Sequence, residues 1–178
     1  MAEMLHAIQI AALPQTVFNA VSTQDGLRGW WTADSAAEPK VGSIAEFGFG
    51  NHATAFRMKI SECNVETIVW ECLGDVDEWR GTRLVWSLLA VEGGTFVRFT
   101  HSGWKSVDGW FAQCNSTWGE LMHRLKAYVE GKNPGRGSAF AVSGYHSVAR
   151  NLRRIRAAYR APAVFLARHH VSKSGTLH

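Results

Sequence analysis

The pattern of apolar residues between positions 43 and 130 restricts the fold more than any other feature of the chain. Five runs, roughly 43–50, 54–63, 66–73, 82–91 and 95–103, are rich in β-branched and aromatic residues. Turn-forming residues separate most of them: Gly50-Asn51, Asn64, Gly74-Asp75 and Gly93-Gly94. Such runs read as strands, and strands joined by short turns pair antiparallel. The period then changes. Phe111, Cys114, Trp118, Leu121, Met122, Leu125 and Val129 recur every three or four residues, the stripe of one long helix over 107–130. Ser106 or Asp108 is placed to cap its start and Gly131 to end it. Gly119, in its interior, costs about 1 kcal/mol against alanine. A close approach of helix to sheet is the expected reason.

Residues 4–12 read as a further strand with Ile8 and Ile10 on one face. Pro14 suits a first helical turn, and Val17, Phe18 and Val21 make a short amphipathic helix. Ser22 to Trp31 begins with capping residues and reads as a second short helix ending in a tryptophan pair. The order predicts an α+β helix-grip architecture: a curved antiparallel sheet of about six strands around a long C-terminal helix, with two short helices after the first strand. The concave face of such a sheet is too wide for one helix to fill. Large side chains, a ligand, or both must occupy the rest.

Alternation says what lines that space. Thr95, Val97, Phe99 and His101 share one face of their strand. So do Leu84, Trp86 and Leu88; Ile68, Trp70 and Cys72; Phe56, Met58 and Ile60; and Phe47 and Phe49. This set is aromatic and carries no formal charge, the usual lining of a small-molecule pocket, and equally of an ordinary core. Arg83 and Glu71 fall on the opposite parity and read as surface charges.

Charge divides the 178 residues in two. Residues 1–131 hold 10 Lys and Arg against all 15 Asp and Glu, a net of −5; residues 132–178 hold 9 Lys and Arg and no acid, a net of +9. All eight tryptophans lie between Trp30 and Trp118. One folded domain over 1–131 and a basic tail over 132–178 are expected. The body is mildly acidic, so a nucleic-acid or other anionic partner falls to the tail alone. In the tail Val148, Leu152, Ile155 and Tyr159 make an apolar line among arginines. Its composition predicts disorder or partial helix, without a function or as a polyanion-binding arm. No apolar run reaches the about 20 residues that span a bilayer, and the N-terminus has no signal-like stretch, so a cytoplasmic location is expected.

Five segments together carry a family likeness: Pro14…Val17-Phe18-x-Ala20; Asp25-Gly26-Leu27…Trp30-Trp31; Val69-Trp70-Glu71-Cys72…Glu78-Trp79-x-Gly81-Thr82; Gly93-Gly94-Thr95-x-Val97-x-Phe99-Thr100-His101-Ser102-Gly103-Trp104; and Trp118-x-x-Leu121-x-x-Leu125. Over about residues 4–133 the chain resembles the START-like superfamily, also called SRPBCC or polyketide cyclase-like. Within it, it is most similar to homologues of the C-terminal domain of the heat-shock-protein-ninety ATPase activator. The resemblance implies the helix-grip fold around a hydrophobic cavity. It implies binding of lipids, sterols, polyketides or hormones, or cyclase and aromatase chemistry. Chaperone activation belongs to eukaryotic members with a further N-terminal domain. This chain starts at the first strand, so that activity is not carried over.

The motifs of common catalytic sites (G-x-S-x-G, H-E-x-x-H, the P-loop, G-x-G-x-x-G) are absent from the sequence. His101, on the inward face, is the best candidate acid or base, or else a hydrogen-bonded core histidine. Asp75, Asp77 and Glu78 read as a solvated turn. Cys63 and Cys72 bracket a hairpin whose register sets Cys72 opposite a residue near Lys59, which argues against a disulfide. No catalytic constellation, metal site or cofactor is expected. The expected function is binding of an apolar or aromatic small molecule by Trp30, Trp31, Phe47, Phe49, Met58, Trp70, Trp86, Phe99, His101, Trp118 and Met122, with Trp79 and Trp104 at the mouth. The alternatives are a cyclase, hydratase or lyase using His101, and a stress-related co-chaperone-like interaction module.

Overall fold

A computed structural model describes residues 2–134; the tail expectation for 135–178 lies outside the described residues. Strand β1 (Ala2–Ile10) leads to α1 (Pro14–Ser22) and α2 (Gln24–Trp30). Then come β2 (Ser35–Ala36), β3 (Ile44–Phe49), β4 (Thr54–Cys63), β5 (Thr67–Cys72), β6 (Arg83–Val91), β7 (Gly94–Trp104) and α3 (Trp110–Val129). The strands form one antiparallel sheet in the order β1-β7-β6-β5-β4-β3-β2. This is the expected α+β helix grip with one strand more, because the two residues of β2 pair with Phe47 and Glu46 of β3. Two residues carry no readable alternation, so the sequence does not announce them.

The local chemistry follows the expected rules at most ends. Pro14 opens α1. Thr23 caps α2, its hydroxyl oxygen accepting from the Gly26 N–H at 3.1 Å. At the far end of α3 the Gly131 N–H bonds the Tyr128 carbonyl (3.1 Å) and the Lys132 N–H the Ala127 carbonyl (2.8 Å). That double bond pattern with Gly131 at φ +71° is a Schellman ending. The start of α3 differs from expectation. Its N-cap is Gly109 at φ +63°, with no side-chain cap. Ser106 Oγ instead accepts from the Asp108 N–H at 3.0 Å, one turn too early. Gly119 also differs: a Cβ there would meet only the His6 ring, at 3.7 Å, an ordinary contact. The close approach is between α1 and α2, where a Cβ on Gly26 would lie 2.3 Å from the Asn19 carbonyl oxygen.

Strand parity holds along the sheet. Every inward residue named on β3 to β7 is buried, and Glu71 and Arg83 are exposed. Helix α3 lays Cys114, Trp118, Leu121, Met122 and Leu125 into the core. Arg124 Nε ties it to the Trp30 carbonyl at 2.8 Å. Glu130 accepts from the Ala11 N–H at 3.0 Å and pairs with Lys126, which donates to the Gln9 carbonyl at 2.7 Å. No described helix is long and apolar enough to cross a membrane.

Candidate ligand-binding site

The thirteen residues expected to form the site are all buried; twelve lie in one hydrophobic cluster, and His101 packs against its Trp79 and Trp104. Trp31 is its hub. It stacks on Trp30 (ring centroids 5.9 Å apart) and Trp70 (6.1 Å), and packs against Phe47 (4.2 Å) and Trp118 (5.2 Å). Trp86, Phe99 and Trp118 continue the cluster at 4.3–4.5 Å. Offset and edge-on aromatic pairs of this kind contribute about 0.5–1.5 kcal/mol each beyond their burial.

His101 sits at one end of the cluster, fully buried. The Trp118 indole N–H donates to its Nδ1 at 3.2 Å. Its Nε2 lies 2.9 Å from Thr82 Oγ1. Thr82 spends its own proton on the Trp79 carbonyl, at 2.7 Å, so its oxygen is left to accept from Nε2–H. The four residues form one directed chain, and His101 is the neutral Nε2–H tautomer. Burial pushes its pKa down to about 3. Both ring nitrogens are engaged, which leaves none to exchange a proton with a substrate.

Six of the eight indole nitrogens fall into two groups. Trp30 donates to the Ala20 carbonyl at 2.9 Å, and Trp118 to His101. The Nε1 atoms of Trp31, Trp70, Trp86 and Trp104 are buried and find no acceptor among the described residues.

A hollow of about 200 Å³ opens at the rim, lined by Asp77, Glu78, Trp104, Lys105, Ser106, Asp108 and Trp110. A void of about 10 Å³ lies between Phe56, Arg57, Cys72, Gly74, Asp75, Val76 and Trp79. Of the thirteen, Trp104 borders the rim hollow and Trp79 the smaller void. Trp110 was not among the residues the sequence singled out: it stands one position ahead of the α3 stripe, so periodicity passes over it.

The polar residues settle into surface roles. Asp75 accepts from the Arg57 N–H at 3.0 Å and from Nε at 2.9 Å; this holds its carboxyl below the usual range. Asp77 pairs with Arg80 at 3.1 Å. His52 stands between Asp34 (2.8 Å) and Glu46 (3.3 Å), a grouping made by the β3–β4 turn that sequence spacing does not show. Among the described residues no three His, Cys, Asp or Glu side chains gather to hold a metal. Cys63 and Cys72 are free thiols. Met58 is the residue opposite Cys72, and burial drives the Cys72 thiol up to about 12.

Most of the chain that builds this site also matches a family profile. The profile described as Activator of Hsp90 ATPase homolog 1-like protein matches residues 11–130. The chain belongs to that family. The Activator of Hsp90 ATPase homolog 1-like domain is similar to the Aha1 dimer of Colwellia psychrerythraea, known from a solution structure. The two are 35% identical with a TM-score of 0.68, over 73% of this chain and 97% of that one. Two further structures share the fold. Protein MLL2253 of Mesorhizobium loti is 13% identical, with a TM-score of 0.64 over 72% of this chain and 97% of its own. DynU16, from the dynemicin biosynthetic locus, is 20% identical, with a TM-score of 0.62 over 74% of this chain and 49% of its own. No curated protein matches the chain. In this Activator of Hsp90 ATPase homolog 1-like domain the family match ends at residue 130, where α3 closes on its Schellman turn.

Proposed function

We propose that the domain binds a small apolar or aromatic molecule carrying hydrogen-bond acceptors, in the space between sheet and α3. The supporting observation is the set of four buried indole N–H groups, on Trp31, Trp70, Trp86 and Trp104, without acceptors among the described residues. Buried tryptophan N–H groups are ordinarily partnered. Each one left unmade costs about 1–3 kcal/mol. A ligand carbonyl or hydroxyl oxygen meets that need, and the surrounding rings supply apolar contact. The rival reading, proton transfer by His101, has no free ring nitrogen to use. Native mass spectrometry of the gently purified protein tests the proposal. A small-molecule mass that leaves on denaturation supports it. A bare protein mass, with no change in tryptophan emission on titration with aromatic ketones, overturns it.

A second reading concerns a second copy of the chain. Leu89 and Phe96 face each other across β6 and β7, and both are exposed, as is Val91. The 35% identical Colwellia protein is a dimer. We propose that this outer strip is the face on which two copies meet. Sedimentation should give a dimer mass for the wild type and a monomer for the Leu89→Lys, Phe96→Lys double variant. A monomeric wild type overturns this reading.

A further inference from the structure

The loop between β5 and β6, residues 73–82, is exposed or half-buried except at Trp79 and Thr82. It inserts a whole indole into the core: Trp79 is 1% exposed. That ring lies 4.6 Å from Phe56, 4.7 Å from His101, 6.2 Å from Trp104 and 6.3 Å from Trp118. Gly74 (φ +91°) and Gly81 (φ +77°) flank the segment, in backbone conformations that glycine reaches without cost. From outside, the loop is fastened by the Asp75 carboxylate on Arg57, a half-exposed pair. Packing is incomplete on both sides of it. The rim hollow is bordered by its Asp77 and Glu78, the smaller void by its Val76 and Trp79, whereas protein interiors are otherwise close-packed.

We infer that residues 73–82 are a hinged lid, that the Trp79 indole occupies the ligand's seat, and that the ligand is a flat bicyclic aromatic molecule of indole size. This rests on the ligand-binding reading above. Rotation about Gly74 and Gly81 withdraws Trp79 and joins its volume to the rim hollow. The slot left behind is walled by Phe56, His101, Trp104 and Trp118, with the Trp104 N–H as a donor at its edge. The Arg57–Asp75 pair is the latch. Apparent affinity then equals intrinsic affinity scaled by the open fraction, so loosening the latch tightens binding.

Oxindole, an indole-sized bicycle whose carbonyl supplies the acceptor, is the probe, followed by fluorine NMR on the full chain labelled with 5-fluorotryptophan. Trp79→Phe assigns the Trp79 resonance. On saturation with oxindole that resonance should move to a solvent-exposed position. Arg57→Ala should tighten the apparent Kd by about threefold or more, and Trp79→Ala by about tenfold, as the open fraction rises. Should Trp79→Ala fail to fold, Arg57→Ala, at an exposed position, decides. Oxindole binding with the Trp79 resonance unmoved, or unaffected by Arg57→Ala, overturns the lid and leaves the ligand-binding reading standing. No oxindole binding by the wild type or either variant overturns both.

Discussion

Trp118 donates its indole N–H to Nδ1 of His101 across 3.2 Å. This contact joins the long helix to the last strand and fixes the imidazole tautomer. Since Nε2–H is spent on Thr82, the ring is a structural part of the core, and its proton affinity becomes a property of stability.

Acid should therefore destabilise the fold through His101. Its folded pKa is about 3 against an ordinary 6.5. Above pH 6.5 the ring is neutral in both folded and unfolded chains. Between pH 6.5 and about 3 only the unfolded chain takes the proton, so stability falls as pH falls, by about 1.4 kcal/mol per pH unit. His6, also lowered by burial, acts in the same direction, and His52, raised by Asp34, in the opposite one. Urea unfolding at pH 7, 6 and 5 measures the slope. His101→Gln should reduce it by about one proton's worth; an unchanged slope would show that acid reaches the ring in the native state.

Thr82 both accepts from His101 and donates to the Trp79 carbonyl. Thr82→Val keeps the shape and strands the buried His101 Nε2–H, at about 1–3 kcal/mol, while the Trp79 carbonyl keeps the backbone N–H of residue 82, at 2.9 Å. Thr82→Ser restores the hydroxyl and should recover most of the loss. Equal melting temperatures for the two variants would contradict the directed chain.

Trp30 and Trp70 are both fully buried, but among the described residues only Trp30 has an acceptor, the Ala20 carbonyl. The two Trp→Phe changes remove the same volume. Trp30→Phe should cost about 1–3 kcal/mol more in chemical denaturation, because it strands that carbonyl, whereas Trp70→Phe removes a donor already unpaired.

Gly26 and Gly119 should respond to alanine with opposite signs. At Gly26 the new methyl would lie 2.6 Å from Ala20 Cα, which is backbone and cannot give way. A loss of about 3 kcal/mol or more is expected, in the range of severe overpacking. At Gly119 only ordinary contact awaits, and the helix should gain up to about 1 kcal/mol. Thermal melts of the two variants check both signs.

The parts of the fold legible in the sequence are those where one face is wet and the other dry. Trp86 and Leu88 against Ser87, or Val97 and Phe99 against Arg98, give their strand and its inward side from parity alone. So does Trp118 on α3, from period. What stayed hidden depends on partners far away in the chain. Nothing around Trp31 or Trp70 tells whether an indole N–H meets a carbonyl. The Gly109 cap was missed because two better capping residues, Ser106 and Asp108, precede it and bond each other. The same limit applies to the site: parity and period name the thirteen residues, but how fully they fill one another's space is set by side-chain angles no pattern encodes.

Among the described residues strand β1 pairs only with β7, its Ile8 set against Val97. A ribosome must add roughly ninety further residues before that partner exists, about 5–20 s at ordinary elongation rates. For that interval Met4, Ile8 and Ile10 have no sheet to join. Birth of the protein is thus its most aggregation-exposed moment, and the yield of soluble chain should depend on translation speed and holdase supply more than on the stability of the finished fold.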